Sequence, residues 1–371
     1  TIEIPNDSKL QTIGNNAFFW TNIESFTIPS KLVDLKEGWC CATIRLTKII
    51  VSPLNPRYCF FDNKMVLGKT KIEQNNYDCL IFCVRDVKRI QIPSFIEQIC
   101  SYAFNHCRKL QSVEIQSDSK LQTINYNAFC GSLIQRISIP SSVTYIGKDA
   151  FFACSNLQQF EISDDSKLQT IETRALAPAI ESLTIPSGLV DLKEDWCFNT
   201  DGLTTIRISP NNQRYCLYEN KMIIGKTKIE QSNYDCLMFC VRDVKRIQIP
   251  SFIEHICSSA FNYCKKLETI DFTSDSRLQT IDRNAFSNSS IKKIAIPSLV
   301  TLIDELAFMH CIQLQRFDIP EDSRLQKIDN LAFNHNAIRY FTIPSSITFL
   351  GNNVFSNFQI IEIKNTEIIS M

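Results

Sequence analysis

Apolar residues fall in short alternating pairs along the whole chain, and the pairs return at a nearly fixed step. Ile137-Ser138-Ile139 is followed by Pro140, then Val143, Ile146, Ala150-Phe151 and Cys154. The same order of apolar positions recurs at Ile90–Cys107, Ile247–Cys264 and Ile294–Cys311. Each I-x-I pair has period two and predicts a short strand with one buried face. A proline follows many of them, at Pro29, Pro93, Pro140, Pro186, Pro250, Pro297 and Pro344. Lacking an N–H for the ladder, it ends the strand. The Val or Ile with the later Ile predicts a second extended segment. Ala-Phe then opens a short helical or turn segment whose ring points inward. Phe18, Phe104, Phe129, Phe151, Phe261, Phe286, Phe308, Phe333 and Phe355 are expected to stack as an internal spine, with Leu176 replacing Phe in one coil.

Most steps between strand centres are 23 or 24 residues, as from Val113 to Ile137 and from Ile137 to Phe160. That period lies in the range of leucine-rich repeats, whose units bury their apolar faces only by stacking on neighbours. The pattern therefore predicts one solenoid over 1–371, with short parallel β-strands on its concave face. Short strands, turns and 3-10 or helical turns form the other side. Two steps are 41 residues, Ile49 to Ile90 and Ile206 to Ile247. They hold two small β-insertions, at about 53–88 and 210–245. Each reads as a hairpin, Tyr58–Phe61 and Met65–Leu67 in the first, with a further strand at Cys79–Val84. Asn55–Phe104 corresponds to Asn212–Phe261 at a constant offset of 157 residues, a super-repeat above the basic one.

Composition narrows the function classes. The formal net charge is zero, which argues against nucleic acid as partner, since counterion-release binding needs a basic surface. No apolar run approaches the roughly 20 residues of a membrane-spanning helix. The chain opens on Thr1–Pro5, already the tail of a repeat, so a targeting signal or anchor is expected outside it. Sixteen cysteines raise the question of disulfides. Cys107 and Cys154 occupy the same repeat position two coils apart, hence roughly 10 Å from each other. That is beyond disulfide reach, and buried thiols are expected there.

The skeleton I-x-I-P-x-x-V-x-x-I-x-x-x-A-F-x-x-C resembles the BspA-like, or Treponema-type, leucine-rich repeat class over essentially the whole chain. The insertion, with its N-x-R-Y, M-[VI]-[LI]-G and later R-I-x-I-P, resembles one found in that class. The resemblance implies a surface or secreted protein of the kind found in oral bacteria and in parasitic protists such as trichomonads. The Phe-rich, Gly-poor wording is closer to the protist members. It also implies roles in adhesion to host cells, matrix or other microbes, and it brings no catalytic residues.

Candidate chemistry is thin. Gly68-Lys69-Thr70 and Gly225-Lys226-Thr227 lack the earlier glycine of a phosphate loop, since Asn63 and Asn220 stand there. Cys79-x3-Cys83 and Cys236-x3-Cys240 have no second ligand pair at finger spacing and read as strand cysteines. A disulfide within the insertion, involving Cys59 or Cys216, is the alternative. The histidines, His106, His255, His310 and His335, sit on different coils with no acidic orienter. Asn6-Asp7-Ser8 and Asn288-Ser289-Ser290 are glycosylation sequons, meaningful only in a secretory pathway. No cofactor or metal is expected, and no enzyme activity.

What remains is the outward row of the strands. The binding candidates are Arg89, Glu114, Arg136, Ser138, Glu161, Thr184, Arg207, Arg246, Asp271, Lys293, Arg316, Asp318 and Tyr340. The row is polar, mixed in charge and nearly free of aromatics. It fits a protein or cell-surface ligand in adhesion better than a stacked sugar. The alternative is an intracellular scaffold for protein–protein interactions.

Overall fold

The computed structural model describes residues 1–355 and the backbone of 360–363. Two compact units are present, Thr1–Trp196 and Cys197–Met371. In the first, the I-x-I segments Arg89–Ile92, Ser112–Ile115, Arg136–Ile139 and Gln159–Ile162 form a four-stranded parallel sheet. Register is residue-for-residue, Arg89 opposite Ser112 and Ser112 opposite Arg136. In the second, Arg246–Ile249, Thr269–Phe272, Lys293–Ala295 and Arg316–Asp318 do the same. The alternation works as expected: Ile90, Ile137, Phe160, Ile247 and Ile294 are buried between exposed flanks.

The x-x-Ile segments make a second parallel ladder. In the first unit it runs through Gln98–Ile99, Thr123–Ile124, Tyr145–Ile146, Thr170–Ile171 and Asp191–Leu192. The insertion extends this ladder. Cys79–Cys83 pairs parallel to Gln98–Ile99, then Met65–Gly68 and Tyr58–Phe61 add antiparallel. The hairpin turns through Asp62, Asn63 and Lys64: Asp62 and Asn63 are both left-handed at φ 49° and 50°, and Lys64 N donates to Phe61 O at 3.0 Å. Glu219 and Asn220 repeat it in the second unit.

The Ala-Phe segment departs from the helical expectation. No helix occurs among the described residues; the segment is a run of turns that forms a third stack. N–H groups alternate in direction. Those of Tyr102, Phe104 and His106 donate to the carbonyls of Tyr126, Ala128 and Cys130 in the next coil, at 3.1, 2.7 and 2.8 Å. Ala103, Asn105 and Cys107 donate back to Cys100, Tyr102 and Phe104. A helix would send every N–H along its own axis. Here left-handed residues on either side of the Phe, Tyr102 and His106 or Asn284 and Asn288, break that propagation.

The spine is present as rings stacked face to face. Phe104 and Phe129 lie 4.6 Å apart at 1°, Phe129 and Phe151 5.0 Å apart at 7°. Phe261, Phe286, Phe308 and Phe333 continue in the same way in the second unit. Phe18 differs: it tilts on Phe26 and meets Trp39 edge-on. Two of the repeat cysteines lie beside the spine as donors. Cys154 Sγ donates to Phe129 O at 3.1 Å and Cys311 Sγ to Phe286 O at 3.0 Å. Burial pushes both thiols up to about 12, so they stay protonated.

Where the coil resumes after each insertion, an arginine is buried. Arg85 donates to Ala103 O at 3.1 Å and Cys107 Sγ at 3.2 Å, over the Phe82 ring. Burial alone would raise Cys107. A hydrogen bond from the Cys83 thiol and the Arg85 charge outweigh it and bring Cys107 from 9.0 to about 7. Cys264 is brought to about 7 in the same way by Cys240 and Arg242. The partner thiols Cys83 and Cys240 are pushed up, first by burial, so Cys107 and Cys264 are the first of each pair to ionise. For an acid lowered on folding, the stabilisation is complete above the unfolded value and lost as pH falls through the folded one. Between about pH 7 and pH 9 the chain is therefore expected to gain stability relative to Cys107→Ser and Cys264→Ser. Urea midpoints measured across that range check this. Parallel pH curves for all three proteins would refute the lowering of Cys107 and Cys264.

Candidate protein-binding face

The strand sheet sets side chains in two outward rows, one from the first strand position and one from the third. In the first unit the first row reads Arg89, Ser112, Arg136, Gln159 and the third reads Gln91, Glu114, Ser138, Glu161. Arg89, Arg136, Glu114, Ser138 and Glu161 are exposed. Ser112 is not: its side chain was expected outward, yet it is 3% exposed. It lies in register between the two arginines, and its Oγ makes no hydrogen bond. Together with Gln111, Gln135 and Gln159 these residues line a groove of about 620 Å³. Thr184, on Ser182–Ile185 of the same unit, is half-buried.

In the second unit the corresponding rows hold Arg246, Thr269, Lys293, Arg316 and Gln248, Asp271, Ala295, Asp318. Two of their three cations are neutralised within the rows. Arg246 Nε meets Asp271 at 2.7 Å, and Arg316 Nε meets both Asp318 oxygens at 2.8 Å. Asp271 and Asp318 are half-buried as a result, while Lys293 and Arg207 stay exposed. Among the described residues neither the Arg89 nor the Arg136 guanidinium has an ion-pair or hydrogen-bond partner. Tyr340, 68% exposed, stands at the first position of Tyr340–Ile343 and lines a groove with Arg316, Asp318 and Phe317. It is the one aromatic among the candidates.

The other motifs resolve into local structure. Gly68 ends a strand, and Thr70 N closes the following turn onto Asp78 Oδ1 at 2.9 Å. Thr227 and Asp235 repeat that contact. His310 and His335 stack 4.8 Å apart, and His255 Nδ1 meets Thr280 Oγ1 at 2.9 Å. All sixteen cysteines are free thiols, Cys59 and Cys216 included. Among the described residues no three His, Cys, Asp or Glu gather as a metal site, and no helix is long and apolar enough to cross a membrane. Exposed aromatics missed in the sequence are Phe19 and Trp20, on the turn stack beside His106. Their place next to the inward Phe18 concealed them.

Stacked I-x-I strands, a second short ladder and a turn stack around a Phe spine define a leucine-rich repeat β-solenoid. The model of the BspA type leucine rich repeat region matches in six copies, over residues 1–66, 70–204 and 227–362. The chain belongs to that family. Solved structures share the fold. The pneumococcal vaccine antigen PcpA is 18% identical with a TM-score of 0.59, over 84% of this chain and 82% of that one. A leucine-rich cell surface protein of Faecalibacterium prausnitzii is 18% identical with a TM-score of 0.50, over 84% and 93%. A leucine-rich repeat protein of Eubacterium ventriosum is 18% identical with a TM-score of 0.52, over 82% and 92%. No curated protein matches the chain in sequence.

Proposed function

We propose that this chain is a non-catalytic protein-binding solenoid, at the cell surface or secreted, that acts in adhesion or host interaction through its strand face. The observation that carries this is the strand face itself. It is a regular lattice of exposed polar side chains over a rigid ladder, and in the first unit its charges are unspent on one another. Solenoids bind proteins on such extended faces. The binding residues would be Arg89, Glu114, Arg136, Ser138, Glu161 and Thr184 in the first unit. In the second they would be Arg207, Arg246, Asp271, Lys293, Arg316, Asp318 and Tyr340. Family membership supports the binding role. The cell-surface description of the Faecalibacterium protein supports the location. We read 1–371 as one solenoid carrying a 157-residue super-repeat, as the matching insertions favour.

One observation favours a second reading, an intracellular scaffold: all sixteen cysteines are free, as a reducing compartment would keep them. Two measurements decide between the readings. The producing cells are labelled with an antibody against the chain, before and after permeabilisation, and the purified chain is presented to intact host cells and immobilised matrix proteins. The surface reading expects labelling without permeabilisation and saturable binding. Labelling only after permeabilisation, with every thiol reduced in the native protein, would establish the scaffold instead.

A further inference from the structure

The groove over Ser112 has a chemistry of its own. We propose that it binds a carboxylate carried on a peptide segment that places a basic residue beside the acid. This rests on the protein-binding role proposed above and gives that face its ligand chemistry.

Arg89 and Arg136 stand two strands apart in exact register across Ser112, hence about 10 Å apart at the backbone. Both guanidiniums are exposed and free of partners, on long stems that can converge on one anion between them. Beneath them the Ser112 hydroxyl is buried without a hydrogen bond, a state that is costly until an acceptor arrives. The groove's other walls, Gln111, Gln135 and Gln159, add amide donors and no charge. A carboxylate seated there receives two charge-assisted forks and a hydroxyl.

The neighbouring row selects among anions. Glu114 and Glu161 line an adjoining groove with Arg136 and Ser138. A sulfated polysaccharide, anionic along its length, would meet these carboxylates at close range. A peptide that alternates acid and base would instead place its cation on them. The second unit supplies the internal control. Its equivalent trio is Arg246, Thr269 and Lys293: Arg246 is spent on Asp271, and Thr269 replaces the serine. The same lattice there lacks the pair of free guanidiniums.

The probe is a fluorescent synthetic peptide repeating Asp-Ser-Lys-Ser, titrated into the full chain by anisotropy. An Asn-Ser-Lys-Ser peptide and heparin serve as competitors. The expected result is binding of the Asp peptide that weakens with added salt. It should weaken about tenfold for Arg89→Gln and again for Arg136→Gln. It should weaken with Ser112→Ala and stay unchanged with Lys120→Gln, an exposed position off the strand face. Circular dichroism of each variant confirms the fold; all four positions tolerate loss of the side chain without opening the core. The proposal is overturned if the Asp peptide fails to bind, if the Asn peptide binds equally, if heparin binds in its place, or if Lys120→Gln weakens binding as much as Arg89→Gln. Cell or matrix binding that survives Arg89→Gln with Arg136→Gln, but falls with other strand-face substitutions, sinks this site and leaves the broader role standing.

Discussion

Phe129→Ala is expected to destabilise the N-terminal unit by about 3–5 kcal/mol. Phe129 is fully buried and is held on both faces, by Phe104 at 4.6 Å and Phe151 at 5.0 Å. Truncation removes the ring's transfer energy and both stacking contacts. The cavity cannot collapse, because the backbone on either side is pinned to its neighbours: Phe104 N donates to Ala128 O and Phe129 N to Ala150 O. In a solenoid each coil is stabilised mainly by the coils it touches, so the loss at one coil weakens two interfaces. Leu176→Ala, where the spine already holds a smaller side chain, is expected to cost less. Urea unfolding followed by circular dichroism measures both. A loss under about 1 kcal/mol at Phe129 would mean that the spine does not bear the stability assigned to it.

Arg242→Ala is the second large effect, about 3–5 kcal/mol in the C-terminal unit. Arg242 is 3% exposed and serves several backbone carbonyls at once. Nη1 donates to Ala260 O at 2.8 Å, Nε to Thr200 O at 3.2 Å and Nη2 to Ser259 O at 3.3 Å. Its plane lies over Phe239, 4.2 Å from the centroid. Removing it breaks those hydrogen bonds, though Ala260 O keeps Cys240 N at 3.0 Å, and takes away the charge that holds the Cys264 thiol down. Its twin offers a graded test. Arg85 holds the same place, but its Nε and Nη2 make no hydrogen bonds, so Arg85→Ala should cost less. Equal losses at the two positions would show that the hydrogen-bond sets do not set the cost.

The strands, the spine and the insertions were legible because each obeys a period that burial enforces. Ile137 and Ile139 must point one way, and Phe151 must recur once per coil. The turn stack was not legible. Many of its left-handed positions hold residues such as Tyr102, Ala153, Arg174, Leu306 and Leu331, types that seldom adopt such backbone, and Asn127, Asn284 and Asn288 mark it only in some coils. Glycine marks it only at Gly38 and Gly131. Arg85 and Arg242 sit in V-R-D, which reads as an exposed turn; their burial follows from where the insertion rejoins the coil, a tertiary fact. The binding face was legible as a row but not as a pattern of pairing. Alternation places Ser112 outward, and nothing within one strand says that Arg89 and Arg136 will stand on either side of it. The contrast with Arg246 and Asp271 appears only when strands are laid in register.

That contrast leads to the measurement that tests the strand face most directly. Binding of the full chain to host cells or matrix protein should be compared for wild type and two charge-reversed variants. One is Arg89→Glu with Arg136→Glu on the strand face. The other is Lys120→Glu with Lys167→Glu, at exposed positions that lead into the second ladder. A protein-binding strand face predicts that the first variant loses binding by about tenfold or more while the second matches wild type. Binding that survives on the first variant and falls on the second would place the ligand on the other ladder and contradict the account.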